Sequence, residues 1–96
     1  MQVAQIILQQ LGGNKFIAMT GTKIQYGKEN AIALKLTPNK SKSKWLTITL
    51  QESDTYTMHF QKEAKSGIVT VAKHENVYCD MLQKIFTEVT GLYTKL

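Results

Sequence analysis

Lys35, Lys40, Lys42 and Lys44 crowd into the stretch KLTPNKSKSKW, which ends on Trp45, the one tryptophan of the chain. Lysine ammonium groups hold phosphates as point charges, the interleaved Asn and Ser side chains hydrogen-bond phosphate oxygens, and an indole can stack on an unpaired base. These five residues are therefore candidate nucleic-acid contacts. The plainer reading is a mobile hairpin tip kept soluble by lysine, with Trp45 packed at the strand end.

Other chemically suggestive groupings carry less. GGNKFIAMTGTK misses the phosphate-loop spacing, because Thr22 separates Gly21 from Lys23. Gly12 and Gly13 are better read as a helix stop and a turn. His74, Cys79 and Asp80 sit close in sequence, but with no third group to orient a nucleophile, Cys79 reads as a small residue at the edge of a buried stripe. The two histidines are separated by a strand and lack a carboxylate cluster at ligand spacing, so no metal is expected. Glu52 and Asp54 share a turn, where acidic residues form turns. The sequence thus points away from an enzyme and calls for no cofactor.

The 96 residues suffice for one domain spanning 1–96, and 43% hydrophobic with 20% charged is the balance of a globular chain. The net charge of +5 favours phosphate-bearing surfaces without choosing one. All twelve basic residues are lysine. Without the planar fork of arginine, base-specific readout loses its usual tool. The single cysteine excludes an intrachain disulfide and a cysteine-based zinc cluster, and fits a reducing compartment. VAQIILQQL is broken by glutamines and has no basic segment before it, so neither a signal peptide nor a membrane span is expected.

Several elements must position these groups. Val3, Ile6, Ile7 and Leu11 recur at helical spacing over residues 2 to 11, and Gly12 offers a stop. KFIAMT, residues 15 to 20, reads as a strand between glycines. Residues 23 to 30 either extend a hairpin from Gly21 to Tyr26, with YGKEN as a loop, or are irregular throughout. AIALKL, WLTITL and TYTMHF alternate with period two. They put Ile32, Leu34, Leu36, Leu46, Ile48, Leu50, Tyr56, Met58 and Phe60 on one face, and Lys35, Trp45, Thr47, Thr49, Thr55, Thr57 and His59 on the other. GIVTVA, residues 67 to 72, adds a strand after the loop KEAKS. From Val77 apolar pairs repeat every four residues, predicting an amphipathic helix of about four turns with Asn76 as N-cap and a Schellman ending at Gly91 and Leu92. The expected fold is a single α+β domain: an antiparallel sheet of four to five strands, covered on one face by an N-terminal and a C-terminal amphipathic helix.

LGGNKFIAMTG at 11 to 21 and HENVYCDMLQKIFTEVTGLYTKL at 74 to 96, with ITL and DTYTMHF between them, resemble a family of small proteins encoded by bacteriophages, prophages and other mobile elements. The similarity covers most of the chain. It implies a bacterial cytoplasmic setting and an accessory gene, and it transfers no catalytic or binding residue.

Two expectations follow. The first is a non-enzymatic accessory protein of a phage or mobile element that acts by binding a host or phage protein, such as a defence, regulatory or replication factor. Its candidate surfaces are the exposed sheet face with Thr47, Thr49, Thr57 and His59, the loop at 23 to 30, and an unpaired strand edge that could equally form a homodimer. The alternative is a DNA- or RNA-binding protein of low sequence specificity that uses the lysine-rich loop, with Lys62 and Lys65 added if their loop lies nearby. A stacking platform of several aromatics is not expected, since only Trp45 and His59 face the open side.

Overall fold

The period-two segments at 31 to 36, 45 to 50 and 55 to 60 pair as their patterns require, and the rest of the sheet grows outward from them. In the computed structural model, which describes residues 2–92, the elements are α1 (Gln2–Leu11), α2 (Gly13–Thr20), β1 (Lys23–Gly27), β2 (Ala31–Lys35), β3 (Trp45–Leu50), β4 (Tyr56–Ala64), β5 (Gly67–Val77) and α3 (Leu82–Thr90), with a 3-10 turn at Cys79–Met81. The strands form one antiparallel sheet in the order β1-β2-β3-β4-β5. The architecture is α+β in a single domain.

The helices lie against the inner face of the sheet. Ile7 and Leu11 of α1, Phe16 of α2, and Leu82 and Phe86 of α3 are fully buried together with Leu34, Leu46, Ile48, Met58 and Phe60. Phe16 meets Phe86 edge-on, with ring centroids 5.0 Å apart. Burying each such side chain favours folding by about 1.5–3 kcal/mol before the entropy of ordering it is counted. All nine side chains expected on the inner face join this cluster, with Leu50 only partly buried. Burial raises the pKa of Tyr56 above 10.0, partly offset by a hydrogen bond from Gln10 and reinforced by nearby Cys79 and Asp54. Among the described residues, no helix is long and apolar enough to cross a membrane.

Three local expectations are corrected. KFIAMT is not a strand but most of α2, because Phe16 and Thr20, four residues apart, bury one helical face against the core. Gly21 then takes the left-handed conformation that ends the helix, and its N–H bonds Ile17 O at 2.8 Å. Asn76 is not an N-cap: β5 continues through Val77, which pairs with Tyr56 and is buried, and Asn76 adopts φ 56° beside a register irregularity. Helix α3 starts only at Leu82 and has nine residues, so Tyr78 and Met81 of the period-four pattern stay exposed. Finally, KEAKS is mostly ladder. Lys62 pairs with Val69, and only Lys65 and Ser66 make the turn.

The two shorter helices end by the same device. Thr20 Oγ1 donates to Phe16 O at 2.7 Å and accepts from Thr22 N, while Thr90 Oγ1 donates to Phe86 O at 2.7 Å and accepts from Leu92 N. Gly91 bonds back to Thr87 O at 2.8 Å in the left-handed conformation. The ending at Gly91 is therefore the single-bond αL motif. The second bond of a Schellman motif is replaced by the threonine hydroxyl.

Candidate nucleic-acid interface

The loop between β2 and β3 is hydrogen-bonded at both ends and along its length. Asn39 organises it. The side-chain amide donates to Thr37 O and Ser43 O, both at 2.8 Å, and the amide oxygen accepts from Ser41 N and Ser41 Oγ. Both donors and the acceptor are thus used within the loop, as an asparagine that templates a turn should use them. Leu36 N and Lys44 N continue the sheet pairing by donating to Lys44 O and Gln61 O, each at 2.7 Å.

The loop also closes two helix C-termini. Thr37 Oγ1 donates to Thr20 O at 2.7 Å, and Lys40 N donates to Thr90 O at 2.9 Å. Those carbonyls belong to the last turns of α2 and α3, where partial negative charge accumulates and where neither helix carries a basic residue of its own. The Thr37 hydroxyl and the Lys40 main-chain N–H supply donors to those two carbonyls. The task falls to the main chain of Lys40, whose side chain does not line the concavity formed by its neighbours.

Lys35, Lys42 and Lys44 do come together. With Leu36, Thr37, Pro38, Asn39 and Ser43 they line a concavity of about 330 Å³, in which Lys42 adopts a left-handed φ of 64°. A second hollow of about 230 Å³ opens on the other side of Leu36–Pro38, lined by Gly21, Lys23 and Lys35. Lys35 is shared by both hollows. Lys23, absent from the candidates chosen by sequence, stands directly opposite Lys35 in the β1–β2 register. Among the described residues only two ion pairs form, Lys44–Glu63 at 3.8 Å and Lys73–Glu75 at 3.0 Å, so neither Lys23 nor Lys35 has a carboxylate partner. Like charges directly opposite on neighbouring strands are destabilising.

The outer face of the sheet adjoins this basic end. Trp45 is the cross-strand neighbour of Lys35 and of Gln61, and Lys44 Nζ lies 6.0 Å from the centre of its ring. Thr47 and His59 face each other in the next row, beside Ala33 on one side and Lys73 on the other. Thr49 pairs with Thr57, whose hydroxyl accepts a hydrogen bond from Gln51 Nε2 at 3.0 Å and is thereby committed internally. Of the protein-docking candidates, Thr47, Thr49 and His59 remain half-exposed. Sequence reasoning missed Tyr26, which stands beside Ala33 on this face and is half-exposed.

The remaining chemistry is dispersed. His74 packs edge-on against Phe60, Cys79 is exposed, and no group of three metal-ligating side chains occurs among the described residues. Lys65 is exposed in its turn. The open sheet edges are both interrupted. Strand β1 has five residues and a bulge between Ile24 and Tyr26, while β5 carries two register shifts and the Lys73–Glu75 pair, features that discourage strand addition.

No protein-family model matches the chain, and neither the curated proteins nor the solved structures contain a significant match to it.

Proposed function

We propose that this is a non-catalytic binding domain that grips a nucleic-acid backbone with low sequence specificity, serving as an accessory protein of a bacterial phage or mobile element. The observation that carries this reading is the Lys23–Lys35 pair. Two lysines stand opposite each other in register, neither with a carboxylate partner among the described residues; Lys35 borders both hollows, and Lys42 and Lys44, the latter paired with Glu63, line the first. A phosphate backbone offers the repeating anions that relieve such repulsion. Every cation available is lysine, which suits phosphate contacts and not a base code.

The test replaces Lys35, Lys42 and Lys44 together by Ser and measures binding to oligonucleotides over a range of salt. Four lysines on a single strand give the wild-type protein a slope of log K against log salt of about −3, and the triple variant a slope nearer −1. Equal affinity and slope in both proteins would sink the reading.

Docking on a host or phage protein is the second reading, favoured by the uncovered outer face with Thr47, Thr49 and His59 beside exposed Tyr26 and Ile68. It predicts that Thr49→Gln abolishes capture of a defined partner while leaving nucleic-acid affinity alone.

A further inference from the structure

The outer face is more than a flat wall of threonine. In a regular strand the residues after Lys23 would alternate, sending Tyr26 to the helix-covered side. A bulge between Ile24 and Tyr26 turns the tyrosine outward, so that it stands beside Ala33. The five strands coil enough for β1 and β5, the two opposite edges, to line a common hollow of about 160 Å³. Ala33 and Thr47 form its floor, and Tyr26, Trp45 and Ile68 rise around it. Ala33, from the middle of β2, is only 3% exposed, whereas Tyr26 and Ile68 are 50% and 62% exposed. A small floor under large, half-open rings is a shape into which a flat aromatic group fits.

Charge completes the picture. Each ring has a cation beside it, Lys28 Nζ at 5.6 Å from the centre of Tyr26 and Lys44 Nζ at 6.0 Å from that of Trp45. The row that contains Trp45 begins with Lys23 and Lys35. Gln25 and Gln61 complete the lining of the hollow.

We propose that this hollow seats an unpaired nucleobase between Tyr26 and Trp45 while the adjoining lysines hold the flanking phosphates, which makes single-stranded nucleic acid the ligand in preference to duplex. The inference rests on the reading of the basic surface as a nucleic-acid grip. Bases inside a duplex are already stacked and cannot enter the hollow, whereas a strand with free bases presents a π-face at every position. The contacts are to base faces, so ribose and deoxyribose strands of the same sequence serve alike.

The test uses the full chain with 12-mers of four kinds: oligothymidylate, oligouridylate, an abasic deoxyribose strand, and a duplex. Both base-bearing strands should bind about 5- to 150-fold tighter than the abasic strand, the range that stacking of one base supplies, and they alone should change Trp45 emission. Tyr26→Ala removes one wall and Ala33→Leu fills the floor. Either should erase the difference between base-bearing and abasic strands while leaving abasic affinity and salt slope unchanged. If oligothymidylate, abasic strand and duplex bind equally and Tyr26→Ala changes nothing, the hollow is not a base site, although the phosphate grip survives. If no strand binds even at low salt, the grip itself is wrong and the base site falls with it. A preference for oligouridylate over oligothymidylate beyond tenfold would overturn the claim that only base faces are read.

Discussion

The two faces of the sheet come from the same strands and differ in everything except backbone. On the inner face Leu46, Ile48, Met58 and Phe60 are fully buried under α1, α2 and α3. On the outer face Trp45, Thr47 and His59 stay half-open, and two lysines confront each other at one end. The inner face is explained by packing alone. The outer face is not, because threonine and alanine there contribute little and the Lys23–Lys35 arrangement opposes folding. An arrangement that costs stability and persists in a marginally stable domain points to function at that place.

The contrast should be largest under truncation of the core. Phe60→Ala is expected to cost about 3–5 kcal/mol in denaturant unfolding, enough to unfold much of a domain this small, while Thr49→Ala on the opposite face stays within about 0.5 kcal/mol. Comparable losses from both would mean that the outer face is buried in an assembly.

Next in size is the loop that joins the faces. Asn39→Ala strips Thr37 O and Ser43 O of their donor and should cost about 1–3 kcal/mol, with faster amide exchange at Lys40 as its bond to Thr90 O is released. Gly21→Ala tests the same region from the helix side. The added methyl would come within 2.8 Å of Thr37 Cγ2 at a φ of +69°, so the variant should be less stable by about 1 kcal/mol or more. A neutral outcome for both would show that the loop moves independently of the helices.

The smallest effect concerns Tyr56. Its phenol has a raised pKa in the folded chain, so its contribution is complete below pH 10.0, the unfolded value, and is lost as pH rises from there through the higher folded value. Stability should therefore fall above pH 10 in the native chain, with a shallower fall in Tyr56→Phe. Parallel profiles would remove Tyr56 as the cause.

The inner face could be read from the sequence because period two is enforced wherever one side of a strand is buried. What escaped depends on information the period does not carry. The apolar run around Phe16 suits either a strand or a helix, and tertiary packing against Phe86 decides it. A usable signal was present all the same. Phe-x-x-x-Thr-Gly occurs at residues 16–21 and again at 86–91, and in both places the threonine bonds the phenylalanine carbonyl while the glycine turns left-handed. Near Val77 the end of β5 happens to continue the four-residue spacing of α3, so strand and helix merged into one pattern. In the site, Lys35, Lys42, Lys44 and Trp45 were legible as a cluster in sequence. Lys23 was not, because only the β1–β2 register sets it against Lys35, and Tyr26 was hidden by a bulge that reverses its face.

The central claim is that the outer face trades stability for an anionic ligand, and the double variant Lys23→Thr, Lys35→Thr tests it in one experiment. Unfolding by denaturant and binding of a 12-mer single strand are measured side by side at low salt. The account predicts a domain more stable by about 0.2–1 kcal/mol and a strand bound at least tenfold more weakly. A variant that is less stable and binds as well as the native chain would contradict it.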